Sequence, residues 1–351
     1  MSGDNELWSR IVSFENILVA SRAARRGKRF RESVLAFEHN VEREVLRLQD
    51  ELLTKRWAPG PYREFYIHEP KKRKISAAPY RDRVVHHALV RVIEPIFERD
   101  FIAHSYACRR GKGTHRAIDR FEALLRSSPW CLKMDVEKFF ASIDHKVLLG
   151  LVERKISCPD TLWLVRRIVD GSNPQERVWR YFAGDDLFTP VERRLGIPIG
   201  NLTSQFFANV MLDPLDHFVT EELRIDGYVR YCDDLAVFAD SKERLLRARS
   251  EIVRFLAQLR LSPHRRKCHV FPARHGSPFL GFRVLRTHRR LLPEKVGLFR
   301  RRARRQAWRL QRGDLSLEAF RASIASWIAH VSAGDTWALR RSLLSQMRIT
   351  R

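Results

Sequence analysis

Residues 228 to 239 read Tyr228-Val229-Arg230-Tyr231-Cys232-Asp233-Asp234-Leu235-Ala236-Val237-Phe238-Ala239, two adjacent carboxylates between short, β-prone apolar runs. Val229, Tyr231, Leu235 and Val237 suit two antiparallel strands. A tight turn where those strands meet would present Asp233 and Asp234 to a divalent cation. Paired aspartates are commonplace in solvated hairpin tips, so their meaning depends on what accompanies them.

About a hundred residues upstream lies Cys131-Leu-Lys-Met-Asp-Val-Glu-Lys-Phe-Phe-Ala-Ser-Ile-Asp144, a short apolar strand that ends on Asp135. In-line attack of a hydroxyl on a phosphoryl group is accelerated by two Mg²⁺ ions about 4 Å apart. Magnesium takes oxygen ligands and keeps several waters, so two aspartates on separate strands plus substrate phosphates suffice. Asp135 and Asp233 are the expected pair, with Asp234 assisting through electrostatics or an outer contact. A second pair, Asp185 and Asp186 in Gly184-Asp-Asp-Leu, lacks long apolar flanks and is expected to be a solvated hairpin turn without chemistry.

The chain has 351 residues, 66 of them Lys or Arg against 41 Asp or Glu, a formal net charge of +25. That excess points to a polyanionic partner. Nucleic acid is favoured over a membrane, because no apolar run approaches the roughly 18 residues a span needs. The N-terminus Met1-Ser-Gly-Asp-Asn-Glu6 lacks a signal peptide's basic and apolar regions, so a cytoplasmic protein is expected. Cys108, Cys131, Cys158, Cys232 and Cys268 show neither zinc spacing nor disulfide density and read as reduced, mostly buried thiols. His86 and His87, adjacent on an expected helix, cannot share a face, which argues against a metal site there.

Helical periodicity runs from Asn5 to Arg26 and from Phe30 to Lys55, the latter with Val34, Phe37, Val41, Val45, Leu48 and Leu52. Trp57-Ala-Pro-Gly-Pro61 ends it. Tyr62 to His68 alternates like an edge strand, followed by a loop from Glu69 to Ile75 and a helix from Asp82 to Glu98. The Gly111/Gly113 loop is a poor match to a P-loop and reads as a flexible basic turn near a template backbone. A strand from Trp130 to Asp135, helices over Lys146–Lys155, Asp160–Asp170, Asn201–Leu223 and Ser241–Leu259, and strands over Lys267–Phe271 and Phe279–Leu285 complete the plan. The tail from Leu298 is helical and dense in arginine, with Phe299 and Trp308 interleaved, and reads as a phosphate-tracking surface with aromatic contacts.

In order, these segments resemble the reverse transcriptase family from about Tyr62 to Leu285. Arg73-Lys-Ile-Ser-Ala-Ala-Pro-Tyr-Arg-Asp-Arg-Val-Val85 and Ser105-Tyr-Ala-Cys-Arg-Arg-Gly-Lys-Gly-Thr114 resemble its two finger blocks. Lys133-Met-Asp135 with Phe139-Phe140 resembles the palm strand bearing the first acid, and Tyr231-Cys-Asp-Asp234 the family's most recognisable tetrapeptide. The resemblance implies an α+β right-hand polymerase: an N-terminal helical extension (1–60), fingers (61–130), a palm with an interleaved finger segment (131–285), and a short basic helical thumb (286–351), the palm an antiparallel sheet backed by helices. It implies catalytic Asp135, Asp233 and Asp234, and two Mg²⁺ ions, replaceable by Mn²⁺, on Asp135, Val136, Asp233 and Asp234. Nucleotide contacts fall to Lys71 and Arg73, which clamp the triphosphate, to Phe140 as the ring that excludes a 2′-hydroxyl, and to Ile199, Gly200, Gln205 and Lys267. Primer and template fall to Arg109, Arg110, Lys112, Tyr231, Leu280, Gly281, Arg301 and Arg305.

The block Leu195-Gly-Ile-Pro-Ile-Gly-Asn-Leu-Thr-Ser-Gln205 discriminates within the family. Most members carry Gln-Gly and then Ser-Pro here; Ile199-Gly200 and Ser204-Gln205 resemble the enzymes of diversity-generating retroelements, which make adenine-mutagenised cDNA from a template RNA. An isoleucine in place of a glutamine removes hydrogen bonds beside the nascent base pair. Asn201 and Thr203 also suit a helix start. That resemblance implies as partners a template RNA, a cDNA primer and RNA–DNA hybrid, deoxynucleotides, and a small basic accessory protein that assembles as an oligomer, in a bacterial or phage-encoded system. The alternatives are a group II intron-like or retron-like enzyme of ordinary fidelity, an RNA-synthesising polymerase, which Phe140 opposes, and a non-catalytic RNA-binding scaffold. A maturase segment or endonuclease is not expected, since no zinc-ligand or His-Asn-His pattern follows Leu285.

Overall fold

The computed structural model describes residues 2–68 and 72–346; Lys71, expected at the triphosphate, lies outside the described residues. In chain order the elements are α1 (Ser2–Val12), α2 (Phe14–Ala24), α3 (Glu32–His39), α4 (Val41–Leu53), β1 (Arg63–Ile67), β2 (Arg73–Ala77), α5 (Tyr80–Glu98), α6 (Thr114–Ser127), β3 (Trp130–Asp135), α7 (Phe139–Ser142), α8 (His145–Glu153), α9 (Pro159–Asp170), α10 (Thr189–Glu192), α11 (Leu202–His217), β4 (Tyr228–Tyr231), β5 (Asp234–Ala239), α12 (Lys242–Gln258), β6 (His269–Pro272), β7 (Ser277–Phe279), β8 (Phe282–Val284), β9 (Arg289–Leu291), α13 (Pro293–Gln311), α14 (Leu317–Val331) and α15 (Trp337–Ser345). This is the mixed α+β architecture expected, with antiparallel sheets. The chain forms two compact units, one of Met1–Ala103, Asp135–Leu223 and Ser250–Lys267, the other of His104–Met134, Arg224–Arg249 and Cys268–Arg351.

In the first unit, the two long N-terminal helices expected from periodicity are each divided. Ser13 leaves helical geometry (φ −60°, ψ 141°), and its hydroxyl accepts from the Asn16 N–H at 3.2 Å, capping α2. Asn40 (φ −126°, ψ 44°) separates α3 from α4. The apolar stripes are buried as the spacing requires: Ile17, Ala20 and Ala24 on α2, and Val45, Leu48 and Leu52 on α4. Polar bonds join α2 to α5, the Asn16 amide donating to the Ala88 carbonyl at 3.0 Å and the Tyr80 hydroxyl to the Ser21 carbonyl at 2.9 Å.

On α5, His86 is buried, and loss of solvation pushes its imidazole down to about 3. It therefore stays neutral in the fold while the unfolded chain takes up a proton below pH 6.5. Stability is retained above that pH and should fall as the pH drops from 6.5 towards 3, by about 1.4 kcal/mol per pH unit from this residue. Melting temperatures between pH 7 and pH 5 check this; the slope should shrink in His86→Leu.

Two expectations change in this unit. Arg73 to Ile75, read as loop, belong to β2, which pairs with β1 in the register Phe65↔Ile75, and Glu64 and Lys74 add a cross-strand ion pair at 2.7 Å. The expected hairpin around Gly184 contains no strand; α10 follows it. Nor is that turn simply solvated. Asp185 is ion-paired with Arg193, whose Nε lies 3.3 Å from Asp144. Asp186 accepts the Phe188 and Thr189 N–H groups at 3.0 and 2.7 Å. The hydrogen bond from Arg193 holds the Asp185 carboxyl below the usual range, so both acids serve the local structure.

The second unit holds a four-stranded sheet in the order β4-β5-β3-β6 and a three-stranded meander β7-β8-β9. Phe121 on α6 stacks on Phe279 with ring centres 4.4 Å apart and meets Phe238 edge-on at 5.3 Å, covering the apolar faces of Val229, Ala236 and Cys131. The strand expected over Phe279–Leu285 is broken into β7 and β8 by a two-residue turn, Leu280-Gly281, with φ 47° and 94°. Among the basic helices, Phe299 is core rather than surface, stacked on Trp327 at 3.6 Å, whereas Trp308 is exposed beside Arg312. Among the described residues no helix is long and apolar enough to cross a membrane.

Candidate active site

The Asp-Asp motif forms the hairpin its sequence predicts. β4 and β5 pair antiparallel with Tyr231 opposite Asp234, leaving Cys232-Asp233 as a two-residue turn. Asp233 therefore sits in the turn, while Asp234 is the first residue of β5. Cys232 takes φ 58°, an uncommon conformation for a residue with a side chain. Burial and the neighbouring Asp233 push its thiol well above the usual range, so it remains a protonated spacer.

The hairpin is braced from within its own unit. Arg230 is fully buried on β4, its guanidinium donating to the Cys232 carbonyl at 3.2 Å. Its backbone N–H bonds the His104 carbonyl at 3.0 Å, and its carbonyl receives the Tyr106 N–H at 2.9 Å. The segment from His104 to Tyr106 is thus tied to the strand that leads to Asp233 and Asp234. Tyr231 adds a hydroxyl contact of 3.1 Å to Thr114 at the start of α6. In the basic loop, Arg109 is buried and donates to the Ser105 carbonyl at 2.9 Å, and the Gly113 N–H bonds the Tyr106 carbonyl at 3.0 Å. Arg109 is therefore a brace, while Arg110 is exposed and Lys112 half-buried.

Asp135 is the last residue of β3, the sheet neighbour of β5. Its carbonyl receives the His264 N–H at 2.7 Å, the Glu137 N–H bonds the Ser262 carbonyl at 2.9 Å, and Val136 bridges Pro263. Lys267 Nζ stands 2.7 Å from Asp135 Oδ2. A cation therefore faces the Asp135 carboxylate. Among the described residues no group of three or more His, Cys, Asp and Glu side chains could hold a metal ion.

The block at residues 195–205 lies against the β1–β2 hairpin. The Ile199 carbonyl accepts the Ser76 N–H at 3.1 Å. Gly200 takes φ 119°, and a Cβ there would stand 3.0 Å from Ile75. Asn201 is buried, but its side chain does not cap α11: Oδ1 accepts the Ala78 N–H at 3.2 Å and Nδ2 donates to the Ser76 carbonyl at 3.1 Å. The asparagine read as a helix start is a clamp on β2. Gln205 is exposed on the first turn of α11, and Arg73 is exposed on β2. Of the adjacent phenylalanines, Phe139 is buried and Phe140 half-buried, with the Ile197 N–H on the Phe140 carbonyl at 2.9 Å.

Leu280 and Gly281 form the β7–β8 turn, and Arg301 and Arg305 lie exposed on α13. Sequence reading gave no role to two bracing residues, Arg230 and Lys133. The charged Arg230 at an inward strand position was the available signal, since a buried guanidinium must have partners.

A family model described as reverse transcriptase (RNA-dependent DNA polymerase) matches residues 67–284. Protein YkfC of Escherichia coli is 26% identical over 290 residues, covering 71% of this chain and 73% of that protein. The group II intron-encoded protein LtrA of Lactococcus lactis is 24% identical over 183 residues, 51% of this chain but only 29% of LtrA. Among solved structures, apo telomerase from Candida tropicalis aligns with a TM-score of 0.47 and 11% identity, over 70% of this chain and 53% of that one. The family match takes in more than half of the sequence, and the mixed fold with its antiparallel sheets is consistent with it. The chain belongs to the reverse transcriptase family, the RNA-directed DNA polymerases.

Proposed function

We propose that this chain is the error-prone reverse transcriptase of a diversity-generating retroelement, copying a template RNA into adenine-mutagenised cDNA. The observation that carries this reading is the Ile199-Gly200-Asn201 segment. An isoleucine whose flanking backbone is clamped to β2 by the Ser76 N–H and by Asn201 offers the nascent base pair an apolar side chain in place of an amide. The test is primer extension on RNA by the purified protein, with substitutions counted by template base.

In this reading Asp135 and Asp233, with the Val136 backbone, would hold two magnesium ions, and Asp234 would support them. Magnesium held there would supply Lewis-acid activation of the attacking hydroxyl and charge stabilisation at the leaving oxygen. Lys267 leaves Asp135 for the triphosphate, which Arg73 and Lys71 also engage, since donors aimed at developing negative charge stabilise the transition state. Fingers, palm and thumb would follow the boundaries 61–130, 131–285 and 286–351. The partners are the template RNA, the cDNA primer and a basic oligomeric accessory protein, with Arg110, Lys112, Arg301 and Arg305 on the nucleic-acid backbone.

Phe140 selects deoxynucleotides by filling the space a 2′-hydroxyl would need. Phe140→Ala is expected to narrow the preference for deoxynucleotides over ribonucleotides by about 10- to 100-fold, read as the ratio of kcat/KM values. The likeness to the group II intron-encoded protein LtrA favours a second reading, an intron-type enzyme of ordinary fidelity, and the same error count separates the two.

A further inference from the structure

Lys133 lies on β3, two residues before Asp135, and has no part in the scheme above. Its ammonium stands 3.5 Å from Asp234 Oδ2, donates a hydrogen bond to the Pro278 carbonyl, and lies 5.5 Å from the centre of the Phe279 ring. The side chain is 18% exposed. A lysine ammonium has three donors and no acceptor, and here a carboxylate, a carbonyl and a ring face surround it. The cation joins the first residue of β5 to the last residues of β7, immediately before the Leu280-Gly281 turn.

Both ends of that link are firm. Phe279 is buried and stacked on Phe121 at 4.4 Å, and Asp234 is paired in register with Tyr231. The turn beyond is strained, because Leu280 takes φ 47°, a left-handed conformation that a residue with a side chain disfavours. Such strain persists only when the surroundings over-determine it, and it gathers at functional sites.

We propose that Lys133 is a positioning residue that locks the Leu280-Gly281 turn to Asp234, so that the third acid sets the placement of the primer end rather than holding a metal ion. This rests on the reading of Leu280-Gly281 as a primer contact. Lys133 and Asp234 then act as one unit, and loss of either releases the turn.

The test is a double-mutant cycle on the full chain, read in EDTA from the fluorescence of 2-aminopurine at the primer 3′ end of an RNA–DNA hybrid, with hybrid affinity measured in parallel. Lys133→Met and Asp234→Asn should each weaken hybrid binding about tenfold and shift the terminal fluorescence alike; the double variant should be no worse than either, and Lys133→Arg should recover most of the loss. Multiplicative effects in the double variant, or a Lys133→Met protein with wild-type melting temperature and wild-type primer-end signal, would overturn the proposal. So would a Lys133→Arg protein that melts like wild type yet recovers nothing. Asp135→Asn serves as the separate control: if it still extends primers, the active-site reading fails whatever Lys133 does.

Discussion

Replacing Asp233 by asparagine is expected to slow deoxynucleotide addition at least about a thousandfold, because loss of a metal-holding carboxylate removes several kcal/mol of transition-state stabilisation. Asp233 occupies the tip of a two-residue turn, so the isosteric amide keeps the backbone and removes the charge. Asp135→Asn should cost as much, and it also removes the partner of Lys267, which stands 2.7 Å away. Asp234→Asn should cost less, since its carboxylate faces Lys133 at 3.5 Å. Single-turnover extension at saturating Mg²⁺ measures all three, with an unchanged melting temperature showing that each variant is folded. If Asp135→Asn and Asp233→Asn both left synthesis intact, the assignment of these acids would be wrong.

Sequencing the cDNA made on an RNA template is expected to show substitutions concentrated opposite adenines. Ile199→Gln should lower the overall error rate about tenfold, by restoring an amide where hydrogen bonding discriminates between correct and incorrect pairs. The backbone there is fixed by the Ile199 carbonyl on Ser76 and by Asn201 on Ser76 and Ala78, so the substitution changes side-chain chemistry on a held frame. Faithful synthesis by the unaltered chain would keep the polymerase and discard the diversity role. No synthesis at all, even with the cognate RNA and accessory protein supplied, would favour an RNA-binding scaffold.

The hairpin bearing Asp233 and Asp234 was legible because alternating apolar residues on either side of a polar pair encode a local structure. So was β3 up to Asp135, and so were the buried stripes of α2 and α4. Helix division at Ser13 and Asn40 was not, because periodicity continues across a cap when both helices bury the same side. The Leu280-Gly281 turn was hidden within an apolar run that reads as one strand, and its left-handed leucine runs against local preference.

Composition and motif order alone determined the family and the basic character of the chain, since these depend on which residues are present and in what sequence. Only the tertiary structure decided that Phe139 is core while Phe140 is half-buried, that Phe299 packs on Trp327, and that Arg109 braces its own loop. It alone placed Asn201 on β2, Lys267 on Asp135, and Lys133 between Asp234 and Pro278. Each of these joins residues separated by more than a hundred positions, and no local pattern encodes such a pairing; the packing of helices and strands brings the partners within bonding distance.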